Sequence, residues 1–201
     1  AGYSATSWPI DIIYAAGKFT TVCINGSYTG LYSSDGSSWT GFGSLERART
    51  ICFDGTYYWL YYYYSAGGDY AVYRLNSDYS GLTRTFTDTS TYGVGQRIRY
   101  FLGYYVILYL RYYSSYYYIY VRKSTDGTTW DAASLLYYTN STITYTDIFY
   151  DPLVTINGVA PVFVCAGEGK LFYSYDLSTW TLLSCGATED LTYLYSVGAT
   201  L

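Results

Sequence analysis

The sequence predicts an all-β protein built from a repeated four-stranded antiparallel unit, and three observations predict it. First, short runs rich in β-branched and aromatic residues alternate with turn residues, as in KFTTVCIN, YVILYLRYY and KLFYSYD. Second, no segment carries an apolar stripe at helical spacing, so we expect essentially no helix. Third, two short landmarks recur four times in the same order along the chain.

The first landmark is a glycine between two strand-like runs, and it occurs at Gly17, Gly55, Gly103 and Gly158. The second landmark reads SSDGSSW, NSDYSGL, STDGTTW and SYDLSTW, and its aspartates recur at intervals of about 43 to 50 residues. Each unit then reads as strand, glycine hairpin, strand, turn, strand, aspartate turn and last strand. A four-stranded meander of this length is the usual blade of a β-propeller.

The pattern Ser-x-Asp-x-Gly-x-x-Trp resembles the Asp-box, also called the bacterial neuraminidase repeat. Asp-boxes occur in sialidases, in sortilin-type receptors and in bacterial and phage surface proteins. STDGTTW is the most similar copy, whereas SYDLSTW lacks the glycine and NSDYSGL lacks both the glycine and the tryptophan. The resemblance covers roughly residues 9–185 and implies a propeller in which these residues are structural: Asp35, Trp39, Asp78, Asp126, Trp130, Asp176 and Trp180.

The chemistry of these segments predicts the same structural role. An aspartate in a tight turn can accept hydrogen bonds from the backbone N–H groups of the residues that follow it. Gly36 and Gly127 are predicted to supply the positive φ that such a turn needs, and each tryptophan is predicted to pack against the neighbouring sheet. Binding of an ion or a ligand by these aspartates is the alternative interpretation.

We predict a single domain, residues 1–201, with repeat units at about 9–42, 47–86, 97–132 and 144–183. Residues 188–201 resemble the first strand and glycine hairpin of another unit, and residues 1–8 resemble the strand that ends one. Joined, the two ends would make a partial fifth blade, closed by pairing of the N- and C-terminal strands. About five four-stranded blades are therefore expected, and an excerpt of a larger ring is the alternative.

The composition excludes several classes of function. The net charge is −4 with only 11 Lys and Arg, so no nucleic-acid partner is expected. The absence of His excludes Ser-His-Asp triads and His-ligated zinc. No apolar run approaches the ~18 residues of a membrane span.

The four cysteines and the acidic residues predict neither a cofactor nor a metal site. Cys23, Cys52, Cys165 and Cys185 show no C-x-x-C spacing, so buried thiols are expected. A bridge between Cys165 and Cys185 is the alternative.

Catalysis is the more specific functional hypothesis, because of the resemblance to sialidases. That resemblance implies three arginines that hold a substrate carboxylate and a Tyr–Glu pair that acts as the nucleophile. Arg47, Arg97 and Arg99 lie near the starts of units, where they could face a central channel. The chain lacks an Arg-Ile-Pro motif near its N-terminus and is far shorter than a sialidase domain. We therefore predict no catalytic residues and no enzymatic activity, with a sialidase-like hydrolase as the alternative.

The 32 tyrosines admit two interpretations. Alternate residues of the run 57–64 would face opposite sides of a sheet, so both faces would be aromatic, as in a blade packed between two others. The functional interpretation is a tyrosine-rich rim that stacks on sugar rings or docks a protein. The longest tyrosine runs flank the predicted hairpins around 65–70 and 114–118, which makes these the candidate rim residues: Tyr62, Tyr64, Tyr70, Tyr113, Tyr116 and Tyr117.

Together these features predict a non-enzymatic module for recognition, attachment or particle assembly. We expect it outside a cell or on a virion, for example in a phage tail or a surface adhesin. Its expected partners are assembly proteins or a cell-surface glycan, and multiple copies in one particle would raise avidity. A purely structural spacer is a further alternative.

Overall fold

The computed structural model describes residues 8–24, 27–45, 47–64, 69–88, 93–143 and 146–183 of the 201-residue chain. Within these ranges the chain has sixteen β-strands and no helix. The strands form four separate sheets of four strands each, and each sheet is an antiparallel meander in chain order. These sheets are the blades of a β-propeller, which confirms the predicted fold class.

The first two blades use the N-terminal half of the chain. The first blade consists of β1 Trp8–Ala15, β2 Lys18–Ile24, β3 Gly30–Ser33 and β4 Thr40–Phe42. The second blade consists of β5 Ala48–Phe53, β6 Tyr57–Tyr64, β7 Asp69–Asn76 and β8 Thr83–Asp88.

The other two blades follow in the same pattern. The third blade consists of β9 Gly93–Phe101, β10 Tyr104–Tyr113, β11 Tyr116–Ser124 and β12 Ser134–Thr139. The fourth blade consists of β13 Asp147–Tyr150, β14 Val162–Cys165, β15 Leu171–Ser174 and β16 Thr181–Leu183. In the part of the chain that the structure describes, no helix is long and apolar enough to cross a membrane.

The first hairpin of each blade has the glycine turn that the sequence predicts. Gly17, Gly103 and Gly158 have positive φ, and the residue before each of them does too. Positive φ at two successive positions is what a two-residue type I′ hairpin requires. The second blade has a different turn, in which the Oδ1 atom of Asp54 accepts hydrogen bonds from the N–H groups of Thr56 and Tyr57 at 2.7 Å.

Among the described residues, neighbouring blades pack through three apolar cores. The core between the first and second blades includes Val22, Phe42, Ile51, Tyr58 and Leu60. The core between the second and third includes Trp59, Tyr61, Tyr70, Ile107 and Tyr109. The core between the third and fourth includes Val106, Leu110, Ile148, Val164 and Phe172. Strand β6 thus buries aromatic rings on both faces, as the alternation of its sequence predicts.

The number of blades differs from the prediction of about five, since the described residues form four. Residues 1–7 and 188–201 lie outside the described residues, so the partial fifth blade and its closure stay a prediction. Trp8, which we expected to end that blade, instead begins β1 and pairs with Ile24. The reason is a bulge between Pro9 and Asp11, which lets the pairing of β1 with β2 continue back to Trp8.

The third blade also differs from its predicted limits. It continues to Thr139, beyond the expected end at residue 132, because β12 pairs with the long β11 as far as Tyr117. Its first strand already begins at Gly93, before the expected start at residue 97.

A partly buried polar network joins the first strands of the four blades. Strands β1, β5, β9 and β13 are neighbours in that order. Asp11 Oδ2 in β1 accepts hydrogen bonds from the Thr50 hydroxyl in β5 at 2.6 Å and from an Arg99 Nη1 atom in β9 at 3.2 Å. The Nε atom of Arg97 donates to Asp147 Oδ1 in β13 at 2.9 Å. Two cations therefore meet two carboxylates, which is how buried charges are tolerated.

Candidate functional site

The aspartate turns have the hydrogen bonds that the sequence predicts. Asp35 Oδ1 accepts hydrogen bonds from the backbone N–H groups of Ser37 and Ser38 at 2.8 and 2.9 Å, and from the Ser33 hydroxyl at 2.9 Å. The indole N–H of Trp39 donates to the carbonyl oxygen of Gly36 at 3.1 Å. The turns at 124–130 and 174–180 repeat the three carboxylate contacts at 2.7 to 3.0 Å. The carboxylates are exposed, but their bonds lie within the turn.

These hydrogen bonds lower the pKa of each turn carboxyl group. The backbone N–H groups of Thr179 and Ser178 lower the pKa of Asp176 to about 2. Equivalent N–H groups hold the pKa of Asp35 and of Asp126 well below the usual range. Since the unfolded value is about 3.9, the bonds stabilise the folded protein above pH ~4 and lose this effect as the pH falls.

The turn of the second blade departs from the others. Asp78 accepts hydrogen bonds from the backbone N–H and the hydroxyl of a single residue, Ser80, at 2.9 and 2.6 Å. Tyr79 connects this turn to the first blade, because its hydroxyl lies 2.6 Å from the Thr20 hydroxyl and its ring stacks on Tyr32 at 3.9 Å between centroids. The second turn thus docks on the preceding blade.

The third and fourth turns dock on their preceding blades as well. The Thr85 hydroxyl of the second blade donates a hydrogen bond to the Gly127 carbonyl oxygen at 3.0 Å. The ring centroids of Trp130 and Phe86 are 5.6 Å apart. Lys123 Nζ of the third blade donates to the Asp176 carbonyl oxygen at 3.0 Å and contacts a neighbouring serine hydroxyl. Turn chemistry and blade packing are therefore linked.

The residue after the aspartate has positive φ in all four turns. Gly36 and Gly127 have φ of 75° and 70°, as predicted. Tyr79 and Leu177 hold the same position with φ of 67° and 61°, although large residues are strained in this region. Their packing offsets the strain, since Tyr79 contacts the first blade and Leu177 is buried in the core of the last two blades.

The turn with Leu177 also lacks one hydrogen bond. In the third blade the indole N–H of Trp130 donates to Gly127 O at 3.2 Å. The corresponding N–H of Trp180 is buried and finds no acceptor in the part of the chain that the structure describes. The fourth turn therefore has one polar group that is unsatisfied among the described residues.

Two of the predicted rim tyrosines are buried. Tyr62 is 7% exposed and Tyr70 is fully buried, so the prediction that they form a rim is wrong. They lie in β6 and β7, the middle strands of a blade that is covered on one face by the first blade and on the other by the third. The side chain of Tyr64 and residues 65–68 lie outside the described residues.

The other rim tyrosines lie on the β10–β11 hairpin and divide between its two faces. Tyr113 and Tyr116 pair across the hairpin and are 60% and 40% exposed. Tyr117 is half-buried and points to the opposite face, where its ring centroid lies 4.8 Å from the ring centroid of Tyr112. Neighbouring residues along a strand alternate between faces, so the rim has two sides.

The face with Tyr113 continues as a cluster of tyrosines across three strands. The pairing places Tyr118 opposite Tyr138 of β12, and their rings stack at 5.8 Å between centroids. The ring centroids of Tyr116 and Tyr138 are 6.1 Å apart, and those of Tyr120 and Tyr118 are 6.4 Å apart. The name tyrosine patch is used below for these five residues: Tyr113, Tyr116, Tyr118, Tyr120 and Tyr138.

Arg111 supplies a positive charge beside the tyrosine patch. Its guanidinium carbon lies 5.2 Å from the ring centre of Tyr113, a distance at which a cation is attracted to an aromatic face. Together with Tyr113, Tyr118 and Tyr120 it lines a shallow cavity of about 340 Å³. The patch therefore combines flat apolar rings, phenolic hydroxyls and one cation.

The groups implied by the resemblance to sialidases do not come together in the described residues. Arg97 and Arg99 lie in β9 and bind the carboxylates of Asp147 and Asp11. The Tyr137 hydroxyl does donate to Glu168 Oε2 at 2.7 Å, which is a Tyr–Glu pair. Tyr137, however, lies in β12, three strands from β9, and that is roughly 14 Å at the usual strand spacing.

Arg47, the third candidate arginine, is half-buried in the connection between the first two blades. In the described ranges no three His, Cys, Asp or Glu side chains are grouped so that they could hold a metal ion. Cys23, Cys52 and Cys165 are buried free thiols, and burial raises the pKa of Cys165 to about 11. Cys185 lies outside the described residues.

Comparison with known proteins bears on the fold alone. No protein-family model matches the chain, and no curated protein is similar to it. A chain of a nidogen/laminin complex is 13% identical with a TM-score of 0.62, over 96% of this chain and 70% of that one. A GH32 β-fructofuranosidase from Bombyx mori is 10% identical with a TM-score of 0.56, over 88% of this chain and 48% of the enzyme.

A third similar structure is itself a propeller domain. It is the β-propeller domain of the trilobed protease from Pyrococcus furiosus, described as having an open velcro topology. It is 5% identical with a TM-score of 0.52, over 90% of this chain and 58% of the domain chain. This chain thus spans about half to 70% of the three proteins. The likeness supports a propeller fold.

Proposed function

We propose that this protein is a recognition module that binds a partner protein through the tyrosine patch. The observation that carries the proposal is the exposure of Tyr113, Tyr116 and Tyr138, at 60%, 40% and 57%, on one face of the third blade. Contiguous exposed aromatic surface marks an interaction site more often than isolated exposed residues do. The other face of the same hairpin carries one exposed tyrosine, Tyr112 at 54%, beside the half-buried Tyr117, so the larger group of exposed rings lies on the face of the patch.

The chemistry of the patch favours a protein as its partner. Tyrosine and arginine are enriched where proteins meet, and both are frequent among the residues that dominate binding energy. A tyrosine side chain has few rotatable bonds, so ordering it on binding costs little conformational entropy. Here the stacking of Tyr118 on Tyr138 orders two of the rings before any partner arrives.

The proposal includes the setting in which the module works. The resemblance of the turns to Asp-boxes supports a place outside a cell or on a virion, in a tail component or an adhesin. Repeated copies there would raise the avidity of a weak single site. One similar structure comes from a complex of two proteins, which is in keeping with a protein partner. We propose no catalytic role, and a surface glycan is the alternative ligand.

The decisive experiment compares two triple variants. The first, Y113A/Y116A/Y138A, removes the exposed rings of the patch. The control, L153A/V159A/L182A, removes three exposed apolar side chains of the fourth blade. Partners are captured from an extract of the source organism, identified by mass spectrometry and then titrated as purified proteins by calorimetry.

We expect the purified partner to bind the patch variant at least tenfold more weakly and the control variant with unchanged affinity. Equal affinity for both variants would place recognition elsewhere on the molecule. Capture of a glycan instead of a protein, lost with the same patch variant, would make glycan binding the function. If the parent protein captures no partner at all, the spacer hypothesis replaces this one.

A further inference from the structure

The mouth of the central channel is a second concave surface, at the end of the propeller opposite the tip of the β10–β11 hairpin. The four first strands end there, and each contributes three consecutive residues to a cavity of about 630 Å³. Pockets that bind small molecules usually measure about 300 to 1,000 Å³. Six of the twelve lining residues are aromatic: Tyr14, Phe53, Tyr100, Phe101, Phe149 and Tyr150.

We propose that this channel mouth binds a neutral carbohydrate, such as the terminal one or two sugar rings of a glycan. The site is distinct from the tyrosine patch, and its ligand differs in kind from the proposed protein partner. Four observations carry the inference: the size of the cavity, its aromatic wall, the fixed position of that wall and the balanced charge of its floor.

The wall of the cavity offers aromatic rings to a ligand. Tyr14 is 65% exposed and Tyr100 is 37% exposed at the mouth. Phe101 and Tyr150 are half-buried, with their ring centroids 5.8 Å apart. Aromatic rings suit the apolar C–H faces of a sugar ring, while phenolic hydroxyls can exchange hydrogen bonds with its hydroxyl groups.

One side of the wall is held in place by a partly buried chain of contacts. The ring centroids of Tyr100 and Tyr105 are 4.8 Å apart. The Tyr105 hydroxyl donates to Asp54 Oδ2 at 2.5 Å, and the indole N–H of Trp59 donates to the same oxygen at 2.7 Å. A wall that is ordered before binding costs the ligand less free energy to use.

The floor of the cavity favours an uncharged ligand. Arg99 lines it with a side chain that is 26% exposed, and Asp11 and Thr50 hold its Nη1 atom at 3.2 and 3.0 Å. Because Arg97 and Asp147 add a second balanced pair, an anion gains little net attraction, and the electron-rich ring faces oppose it. A cation would be attracted to the ring faces, but it would be repelled by Arg99, the charged residue among the twelve that line the cavity. A neutral ligand rich in hydroxyl groups avoids both penalties.

The test uses ligand-observed saturation-transfer NMR followed by titration on the full chain. The neutral probes are methyl glycosides of glucose, galactose, mannose and N-acetylglucosamine, with lactose, maltose and cellobiose. N-acetylneuraminic acid is the anionic probe and choline the cationic one. The variants are Tyr14→Ala and Tyr100→Ala, with Tyr112→Ala, which is exposed at the other end of the propeller, as the matched control.

We expect at least one neutral probe to bind, at least tenfold more tightly than either charged probe. Both mouth variants should weaken its binding at least tenfold, and the Tyr112→Ala variant should leave it unchanged. Preference for a charged probe, no binding of any neutral probe, or equal loss in the control would each overturn the inference. The Y113A/Y116A/Y138A variant should keep its sugar affinity, so this result is independent of the proposed protein recognition.

Discussion

The aspartate turns of the first and third blades have closely similar sequences and the same internal hydrogen bonds, yet they differ in what surrounds them. A Cβ added to Gly127 would lie 2.3 Å from the ring of Trp59 in the preceding blade. A Cβ added to Gly36 would lie 3.9 Å from Phe19 of its own blade. The internal chemistry of such a turn is local, whereas its docking depends on a neighbouring blade.

A substitution at Gly127 should break this docking. Gly127→Ala places a side chain against Trp59 and an L-residue at positive φ, so overpacking of ~1–3 kcal/mol adds to backbone strain of ~1–2 kcal/mol. We expect Gly127→Ala to lower the free energy of unfolding by about 3 kcal/mol. Gly36→Ala introduces only the backbone strain, without overpacking, and should lower the free energy of unfolding by about 1 kcal/mol. Urea unfolding measures both, and equal losses would contradict the docking of the third turn.

A second comparison concerns the tryptophans of the third and fourth turns. Trp130→Phe removes an indole N–H that donates to Gly127 O, whereas Trp180→Phe removes one that is buried without an acceptor in the described residues. Since a hydrogen bond contributes ~1 kcal/mol and an unsatisfied buried group costs ~1–3 kcal/mol, only the first change should destabilise appreciably. The difference should be about 1–2 kcal/mol in the free energy of unfolding. The opposite order would refute the difference between these turns.

Acid should weaken the turns in a defined pH range. The pKa of Asp176 is about 2 in the folded protein and lies near 3.9 in an unfolded chain, so unfolding takes up protons between these values. The melting temperature should therefore fall as the pH drops from 5 to 2. Asp176→Asn keeps an oxygen acceptor but does not titrate, and its melting temperature should fall less steeply. A slope identical to that of the parent would show that Asp176 does not stabilise the turn.

The smallest effect on stability is expected at the tyrosine patch. Tyr116 is 40% exposed, so Tyr116→Ala should cost less than about 1 kcal/mol. Tyr109 lies on the same face of the same hairpin but is 2% exposed, and Tyr109→Ala should cost ~3–5 kcal/mol as a core truncation. Thermal melting of both variants measures the contrast. A large loss at Tyr116 would assign that residue to folding.

The sequence predicts well what is determined locally. The blade pattern, the glycine hairpins and the contacts of Asp35 and Asp126 follow from residue types at fixed spacing. Tyr79 and Leu177 were missed, because the usual signal for positive φ is glycine and here packing against other parts of the fold overrides it. Tyr62 and Tyr70 were misplaced because position beside a hairpin does not reveal that two other blades cover both faces.

The cavity and the patch depend on contacts between distant parts of the chain. Tyr14 and Tyr100 are 86 residues apart in sequence and line one cavity only because the first strands gather around one axis. Tyr138 joins the patch because β12 pairs with β11 in a register that is shifted by a bulge between Ile119 and Tyr120. Neither the bulge nor the order of the blades around the axis can be read from local patterns.

The most direct measurement of the central claim is hydroxyl-radical footprinting of the complex with its purified protein partner. The method reports the solvent access of individual tyrosine rings. Recognition through the tyrosine patch predicts that Tyr113, Tyr116 and Tyr138 become protected, while Tyr28 and Tyr175, which are exposed elsewhere, react as in the free protein. Unchanged reactivity of the patch, with protection at Tyr28 or Tyr175, would contradict the account.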